Sequence, residues 1–189
     1  RGAGYVLGTD ISRKMLDTAR QKNNHVNIEY RLAAMEDLSF EPGSFDVVIS
    51  SLAFHYVRDF EPLAAKICRW LRVGGDFVFS VEHPVFTAYG NQDWYYDENG
   101  EILHFPVDRY YYEGEREAVF LGEKVVKYHR TLTTYLGTLL KNGFQLTGVT
   151  EAKPSEEMLN VPGMLDEMRR PMMLLIAAKK GEDLGDRKE

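Results

Sequence analysis

Short apolar runs alternate with amphipathic helical patterns along most of this chain. The runs at residues 5–9, 45–51 and 76–83 carry too few polar residues for strands with one face in water, so they predict strands buried on both faces. Helical patterns follow Ser12 and fill residues 61–72. Because such alternation produces parallel strands with right-handed crossovers, the sequence predicts an α/β fold, with helices on both faces of a mostly parallel sheet.

The ends of several elements are also marked. Ser12 is suited to cap the first helix, and Gly74 with Gly75 is expected to end the second helix through a left-handed C-terminal cap. The later patterns predict strands at 27–31 and 144–150, a helix at 132–142, a proline-interrupted helical stretch at 155–170 and a closing strand at 172–180.

Composition limits the size and class of the protein. With 189 residues, 44% of them apolar, residues 1–189 are expected to form a single domain around one core. A net charge of −6 argues against nucleic acid as a partner, since such proteins need a basic face. No membrane-spanning run or signal-peptide pattern is present, so a cytoplasmic protein is expected. The single cysteine and the spacing of the histidines predict no metal site.

Residues 83–130 break the alternation and hold nearly half of the chain's aromatic residues. The Asn99-Gly100 pair between extended-looking residues predicts one hairpin, and residues 113–129 predict a further antiparallel pair. A disordered linker would be poor in aromatic side chains, so we expect a folded β cap over one end of the sheet. The alternative is an arm that meets a second copy in a homodimer.

Three segments carry a family resemblance in order and at matching spacings: "VLGTDISRKMLDTAR", "AAMEDLSFEPGSFDVVISSLAFHYV" and "LRVGGDFVFSVEHP". Together they resemble the class I S-adenosylmethionine-dependent methyltransferases, in the small-molecule branch. The resemblance covers residues 5–82 and extends more loosely to the closing strand. It implies a Rossmann-like sheet with a final antiparallel strand at its far side, S-adenosyl-L-methionine as the cofactor, and methyl transfer to a small molecule.

Asp10, at the carboxyl end of the first strand, is the leading candidate for cofactor binding. A carboxylate there projects to the ligand-binding edge of a parallel sheet and can accept hydrogen bonds from both hydroxyls of a ribose. The alternative is that Asp10 only helps to cap the following helix. The resemblance implies that Ile11 presents an apolar surface to the adenine ring.

The resemblance implies further cofactor contacts in two loops. Where the family usually has an acid this chain has Ala34, so Glu36 or the backbone at Met35 is expected to bind the adenine amino group. The alternative for Glu36 is a solvated loop position. Ser50 and Leu52 end a buried strand and are expected to face the methionine portion of the cofactor.

Two histidines that follow buried strands are the catalytic candidates. An imidazole titrates near neutral pH, so His55 could remove a proton from an attacking nitrogen or oxygen; alternatively it packs over the adenosine or orients a helix start. His83 ends the next strand and points to the same crevice. In the cap, Trp94, Tyr95 and His104 are expected to form an acceptor-side wall, although such rings more often form the core of their own hairpins.

The beginning of the chain departs from the family pattern. The first strand and its glycine-rich turn normally precede the ribose-binding aspartate by about 20 residues or more. Here nine residues precede Asp10. A truncated chain is expected, with a start site placed too late and a sheet whose second and fourth strands meet directly as alternatives.

Two other functions remain open from the sequence. A nicotinamide-dependent dehydrogenase would use Asp10 equally well, but it gives no reason for "AAMEDL" followed by "FDVVISS". A non-catalytic, methyltransferase-like remnant that binds a ligand or a partner is the alternative outside enzymes.

Overall fold

The computed structural model describes residues 2–120 and 122–182, which form two compact units that divide after Phe40. The strands are β1 Val6–Asp10, β2 Ile28–Leu32, β3 Phe45–Ser51, β4 Leu71–Glu82, β5 Tyr95–Tyr96, β6 Ile102–His104, β7 Gly114–Phe120, β8 Glu123–His129, β9 Phe144–Ala152 and β10 Met173–Lys180. The helices are α1 Arg13–Lys22, α2 Phe60–Trp70, α3 Pro84–Thr87, α4 Leu132–Lys141 and α5 Met164–Glu167. Short 3-10 turns lie at Met35–Asp37, Phe54–Tyr56 and Glu156–Asn160. The single domain expected for residues 1–189 stays a prediction.

The first unit is a parallel pair, β1 and β2, joined by α1. Its register places Asp10 opposite Leu32 at the carboxyl ends of the two strands. Ser12 caps α1 as predicted, since its Oγ accepts a hydrogen bond from Met15 N at 3.3 Å. The parallel arrangement brings the segments that follow both strands to the same edge.

The second unit contains a four-stranded sheet in the order β3-β4-β10-β9. β3 and β4 are parallel, whereas β10 is antiparallel to both β4 and β9. These pairings confirm the Rossmann-like α/β fold and the antiparallel final strand. β10 lies between β4 and β9, so it does not form the far edge of the sheet.

The glycine pair after α2 does not cap that helix, which corrects the expectation from the sequence. α2 ends at Trp70, and Leu71 already has extended backbone angles. Gly74 and Gly75 lie inside β4, where the pairing with β3 is irregular. A Cβ atom at Gly75 would lie 2.9 Å from the backbone oxygen of Asp46, so the close approach of β3 and β4 here requires glycine.

Aromatic rings form the core of the second unit. The ring of Phe54 lies 5.2 Å from that of Phe79 and 5.5 Å from that of Phe60, and Phe60 meets Tyr135 of α4 at 5.2 Å. All four side chains are buried, and edge-on or tilted ring contacts of this kind stabilise a core beyond the area they bury. This packing fixes the loop after β3, because Phe54 belongs to that loop.

Residues 83–130, the predicted cap and called the cap below, contain both predicted hairpins. β5 pairs with β6 and β7 pairs with β8, each in antiparallel register. In the first turn the Asp97 carboxylate accepts the backbone N–H groups of Asn99 and Glu101, and Gly100 has a φ of 82°. The helical stretch expected at 155–170 is broken into a 3-10 turn and the single turn of α5, because Gly163 adopts a left-handed conformation between them.

Candidate active site

Asp10 ends β1 with one carboxylate oxygen engaged and one open. Its Oδ1 accepts a hydrogen bond from Ser12 N at 2.7 Å, which is a local turn at the start of α1. Its Oδ2 has no hydrogen-bond partner among the described residues, and the side chain is half-buried. Asp10 therefore supports the helix start and still has acceptor capacity for a ligand.

The other candidates of the first unit lie around Asp10. The backbone oxygen of Asp10 accepts a hydrogen bond from Ala33 N at 3.1 Å, which ties the segment after β2 to the end of β1. Met35 and Glu36 follow in a 3-10 turn, with Met35 half-buried and Glu36 exposed. Ile11 is 75% exposed, so its apolar side chain is available to a flat ring.

The end of β3 carries Ser50 and Leu52. Ser50 pairs with Phe79 inside the parallel ladder and is half-buried. Leu52 has a φ of 51°, in the left-handed region that leucine rarely adopts. Its N–H donates hydrogen bonds to the backbone oxygen of Ser80 at 2.9 Å and to Ser80 Oγ at 3.2 Å. Such local strain clusters at functional sites, where the surrounding structure holds it.

His55 lies in the 3-10 turn after β3 and is 2% exposed. Its Nδ1 accepts a hydrogen bond from the backbone N–H of Glu82, at the end of β4, at 3.3 Å. Because Nδ1 accepts, the neutral ring carries its proton at Nε2. Burial is the main cause that lowers the pKa of His55 from its ordinary 6.5 to about 4.

His83 begins the segment after β4 and is 3% exposed. Its Nδ1 accepts from Val85 N at 3.0 Å, which caps α3, so this ring also carries its proton at Nε2. Nε2 lies 2.9 Å from Glu151 Oε1, a contact that is close in distance but not well directed for a hydrogen bond. Burial lowers the pKa of His83, and the Glu151 carboxylate opposes that effect.

Beside these histidines, three polar side chains form a closed ring of hydrogen bonds that the sequence did not predict; two of them are buried and Gln92 is half-buried. Lys127 Nζ donates to Glu82 Oε1 at 2.6 Å and to Gln92 Oε1 at 2.7 Å, while Gln92 Nε2 donates to Glu82 Oε2 at 2.7 Å. The three residues come from β8, β4 and the loop after α3. One signal was present: Lys127 falls on the same alternating face of β8 as the fully buried His129.

The three proposed wall residues pack within the cap. Tyr95 and His104 face each other across the hairpin with ring centroids 5.1 Å apart, and Tyr95 is 57% exposed. Trp94 meets Phe105 edge-on at 5.3 Å and lies under the guanidinium of Arg170 at 4.9 Å. The rings of these three residues therefore contact one another, Phe105 or Arg170, and the acceptor-side wall stays a prediction.

No three His, Cys, Asp or Glu side chains in residues 2–120 and 122–182 are grouped so that they could hold a metal ion. In the same part of the chain, no helix has both the length and the apolar character needed to cross a membrane.

Comparison with known proteins identifies the family. Residues 1–79 match a family model described as "Methyltransferase domain". A crystal structure from Listeria monocytogenes, assigned to the S-adenosylmethionine-dependent methyltransferases, is 54% identical with a TM-score of 0.92, covering 96% of this chain and 82% of that one. An S-adenosylmethionine-dependent methyltransferase from Mesorhizobium loti is 41% identical with a TM-score of 0.85, covering 94% and 81% of the two chains.

A curated relative with a named activity matches over a shorter stretch. The demethylmenaquinone methyltransferase of Lactococcus lactis is 34% identical over 91 residues, which are 46% of this chain and 36% of that protein. These similarities favour methyl transfer over the nicotinamide-dependent dehydrogenase that the sequence left open. This chain belongs to the S-adenosylmethionine-dependent methyltransferases.

Proposed function

We propose that this enzyme transfers the methyl group of its cofactor, S-adenosylmethionine, to a small-molecule acceptor, and that Asp10 binds the ribose of the cofactor. One observation carries the proposal: the open Oδ2 of Asp10 at the carboxyl end of a parallel strand. Ligands of open α/β sheets bind at that end, and a carboxylate oxygen with free lone pairs suits a sugar hydroxyl.

The neighbouring residues of the first unit supply the adenine contacts in this proposal. The exposed side chain of Ile11 offers an apolar face to the purine. Met35 and Glu36 begin the 3-10 turn, and either the backbone at Met35 or the Glu36 carboxylate binds the exocyclic amino group. In the second unit we assign Ser50 and Leu52 to the methionine portion, with the left-handed backbone of Leu52 as support.

The cofactor supplies an electrophilic methyl group, and the protein's task is chiefly to orient the acceptor for in-line displacement. His55 and His83 contact the acceptor in this proposal. In both rings Nδ1 accepts a hydrogen bond from a backbone N–H, so the proton is on Nε2. Nε2 can therefore donate a hydrogen bond to an oxygen or nitrogen of the methyl acceptor. The pKa of about 4 at His55 also opposes uptake of a second proton. Orientation therefore fits both histidines better than the proton removal considered from the sequence.

Small-molecule acceptors are supported by charge and by relatives. The net charge of −6 argues against a partner with a phosphate backbone. The Lactococcus lactis relative, which matches about half of this chain, is named a demethylmenaquinone methyltransferase, and its name indicates a small-molecule acceptor. We assign Trp94, Tyr95 and His104 to the acceptor side, because the segment that carries them leaves the carboxyl end of β4.

Calorimetry followed by methyl-label transfer tests the proposal. S-adenosylmethionine and its demethylated product should bind, and NAD should not. The labelled cofactor should then be incubated separately with demethylated hydroquinones and other small phenols, with bulk RNA and with bulk protein. Label in a small molecule supports the proposal. Label confined to RNA or protein, or binding of NAD alone, would refute it.

A further inference from the structure

The ring of Glu82, Lys127 and Gln92 joins the cap to the end of β4. The side chains of Lys127 and Glu82 are 2% and 10% exposed, so a full ion pair has been removed from water. Such burial costs several kcal/mol per ion, and apolar side chains of similar volume often stabilise a fold equally well. Stability alone therefore gives a weak reason for charges at this position.

Glu82 links the ring to His55. Its carboxylate is held at both oxygens by cap residues, and its backbone N–H donates to His55 Nδ1 at 3.3 Å. Tyr56, the next residue of the same turn, lies 4.5 Å from the His55 ring and 5.9 Å from Lys127 Nζ, measured to ring centroids. The turn that carries His55 thus meets the ring through both Glu82 and Tyr56.

Arg130, directly after β8, holds the same turn from another side. Its guanidinium donates to the backbone oxygens of Phe54, Val57 and Arg58, the last at 2.7 Å. Lys127 and Arg130 are three residues apart, so one short stretch of the cap contacts both ends of the His55 turn. Three carbonyl contacts from one planar guanidinium restrict the backbone of that turn.

We propose that the Glu82–Lys127–Gln92 ring is a positioning device that holds His55 in its Nε2-protonated tautomer and aims Nε2 at the acceptor. The cap would then set the hydrogen-bonding direction of a site residue as well as cover the sheet. The inference rests on the proposed role of His55 at the acceptor. The charged groups that face His55 are Glu82, whose anion raises its pKa, and Lys127 and Arg130, which lower it, while burial has the largest effect.

Nitrogen-15 NMR of the histidine rings tests this without an acceptor or turnover. At neutral pH the wild-type His55 spectrum should show one protonated Nε2 and one hydrogen-bonded, unprotonated Nδ1. Lys127→Met and Glu82→Gln should each mix the two tautomers. Lys127→Met should also raise the midpoint of the His55 titration by about one pH unit, and Glu82→Gln should lower it by a similar amount.

Lys124→Met, an exposed lysine of the same strand, is the matched control and should leave the His55 signals unchanged. If Lys127→Met fails to fold, Gln92→Leu opens the ring while keeping the ion pair and should give a partial tautomer change. Wild-type His55 signals in folded Glu82→Gln and Gln92→Leu would overturn the inference. Because these spectra are recorded without turnover, they would overturn it even if methyl transfer to small molecules is confirmed.

Discussion

Two strand ends in this molecule carry carboxylates in opposite environments. At the end of β1, Asp10 uses one oxygen in a local turn and keeps the other open. At the end of β4, Glu82 has both oxygens bound by cap residues, the buried Lys127 and the half-buried Gln92. An open carboxylate can meet a ligand, whereas a fully satisfied one is suited to hold its neighbours in place. The same residue chemistry at the same kind of strand end thus supports two different roles.

The largest effect is expected from breaking the buried ion pair at the end of β4. Glu82→Leu leaves the ammonium of Lys127 buried without its anion, so the free energy of unfolding should fall by about 3–5 kcal/mol. The double variant Glu82→Leu with Lys127→Met removes both charges and should recover most of that loss. Urea unfolding followed by circular dichroism measures both.

The exposed ion pair of Lys179 and Asp76 is the control for that comparison. Its side chains are 42% and 46% exposed, so Asp76→Ala should cost less than about 1 kcal/mol. Equal losses for Glu82→Leu and Asp76→Ala would show that burial does not distinguish the two pairs.

Substitution of Asp10, whose Oδ2 is open, should act mainly on affinity for the cofactor. Asp10→Ala should weaken binding of S-adenosylmethionine by about 1–3 kcal/mol, because charge-assisted hydrogen bonds to the ribose are lost. Asp10→Asn keeps an oxygen that can accept the hydrogen bond from Ser12 N. Weaker cofactor binding in Asp10→Asn therefore reflects loss of the charged ribose contact and not loss of the turn. Isothermal calorimetry gives the affinities. Asp17→Ala, on the exposed side of α1, is the control, and an unchanged affinity in folded Asp10→Ala would contradict the ribose assignment.

Acid should lower the free energy of unfolding through His55. The unfolded chain binds a proton near pH 6.5, whereas folded His55 does so only near pH 4, so its contribution is complete above about pH 6.5 and is lost as pH falls toward 4. Between pH 7 and pH 5 this histidine alone should account for about 2 kcal/mol of lost stability. Burial lowers the pKa of His83 and His129 as well, which adds to the same trend.

Unfolding measured at both pH values isolates that contribution. His55→Asn should remove the corresponding part of the pH dependence, since asparagine does not titrate. If His55→Asn keeps the full wild-type loss, His55 is not the group that takes up the proton.

The local elements could be predicted from the sequence because their signals are local. Ser12 caps α1, Asn99 and Gly100 form the hairpin turn, and the apolar runs became strands. Gly74 and Gly75 misled the prediction, because a helix C-cap and a bulge in a strand both use glycine. Only the approach of β3, a contact made at long range, distinguishes the two cases.

The site was less predictable for the same reason. Asp10 and His55 were found because they follow strands, and strand ends are visible in the sequence. Lys127 joins Glu82 across 45 residues, and no local pattern specifies that contact. Proton positions at His55 depend on a backbone donor 27 residues away, so the suggestion of a general base could not be weighed before the fold was known.

The smallest effect is expected at Leu52, where strain and function meet at the end of β3. A left-handed leucine costs about 1 kcal/mol, which Leu52→Gly relieves, while glycine's greater freedom in the unfolded chain cancels a similar amount. Leu52 is 39% exposed, so Leu52→Ala and Leu52→Gly both lose the apolar area that this side chain buries, and the two variants are compared with each other. Replacing Ala by Gly at position 52 should leave the free energy of unfolding nearly unchanged, because glycine relieves the left-handed strain. The same replacement at Ile49, an extended and 74% exposed position of β3, relieves no strain and should cost about 1 kcal/mol. Thermal unfolding of the four variants measures both differences, and cofactor calorimetry should show weaker binding only for the Leu52 variants. Equal Ala-to-Gly losses at the two positions would mean that the Leu52 backbone stores no strain.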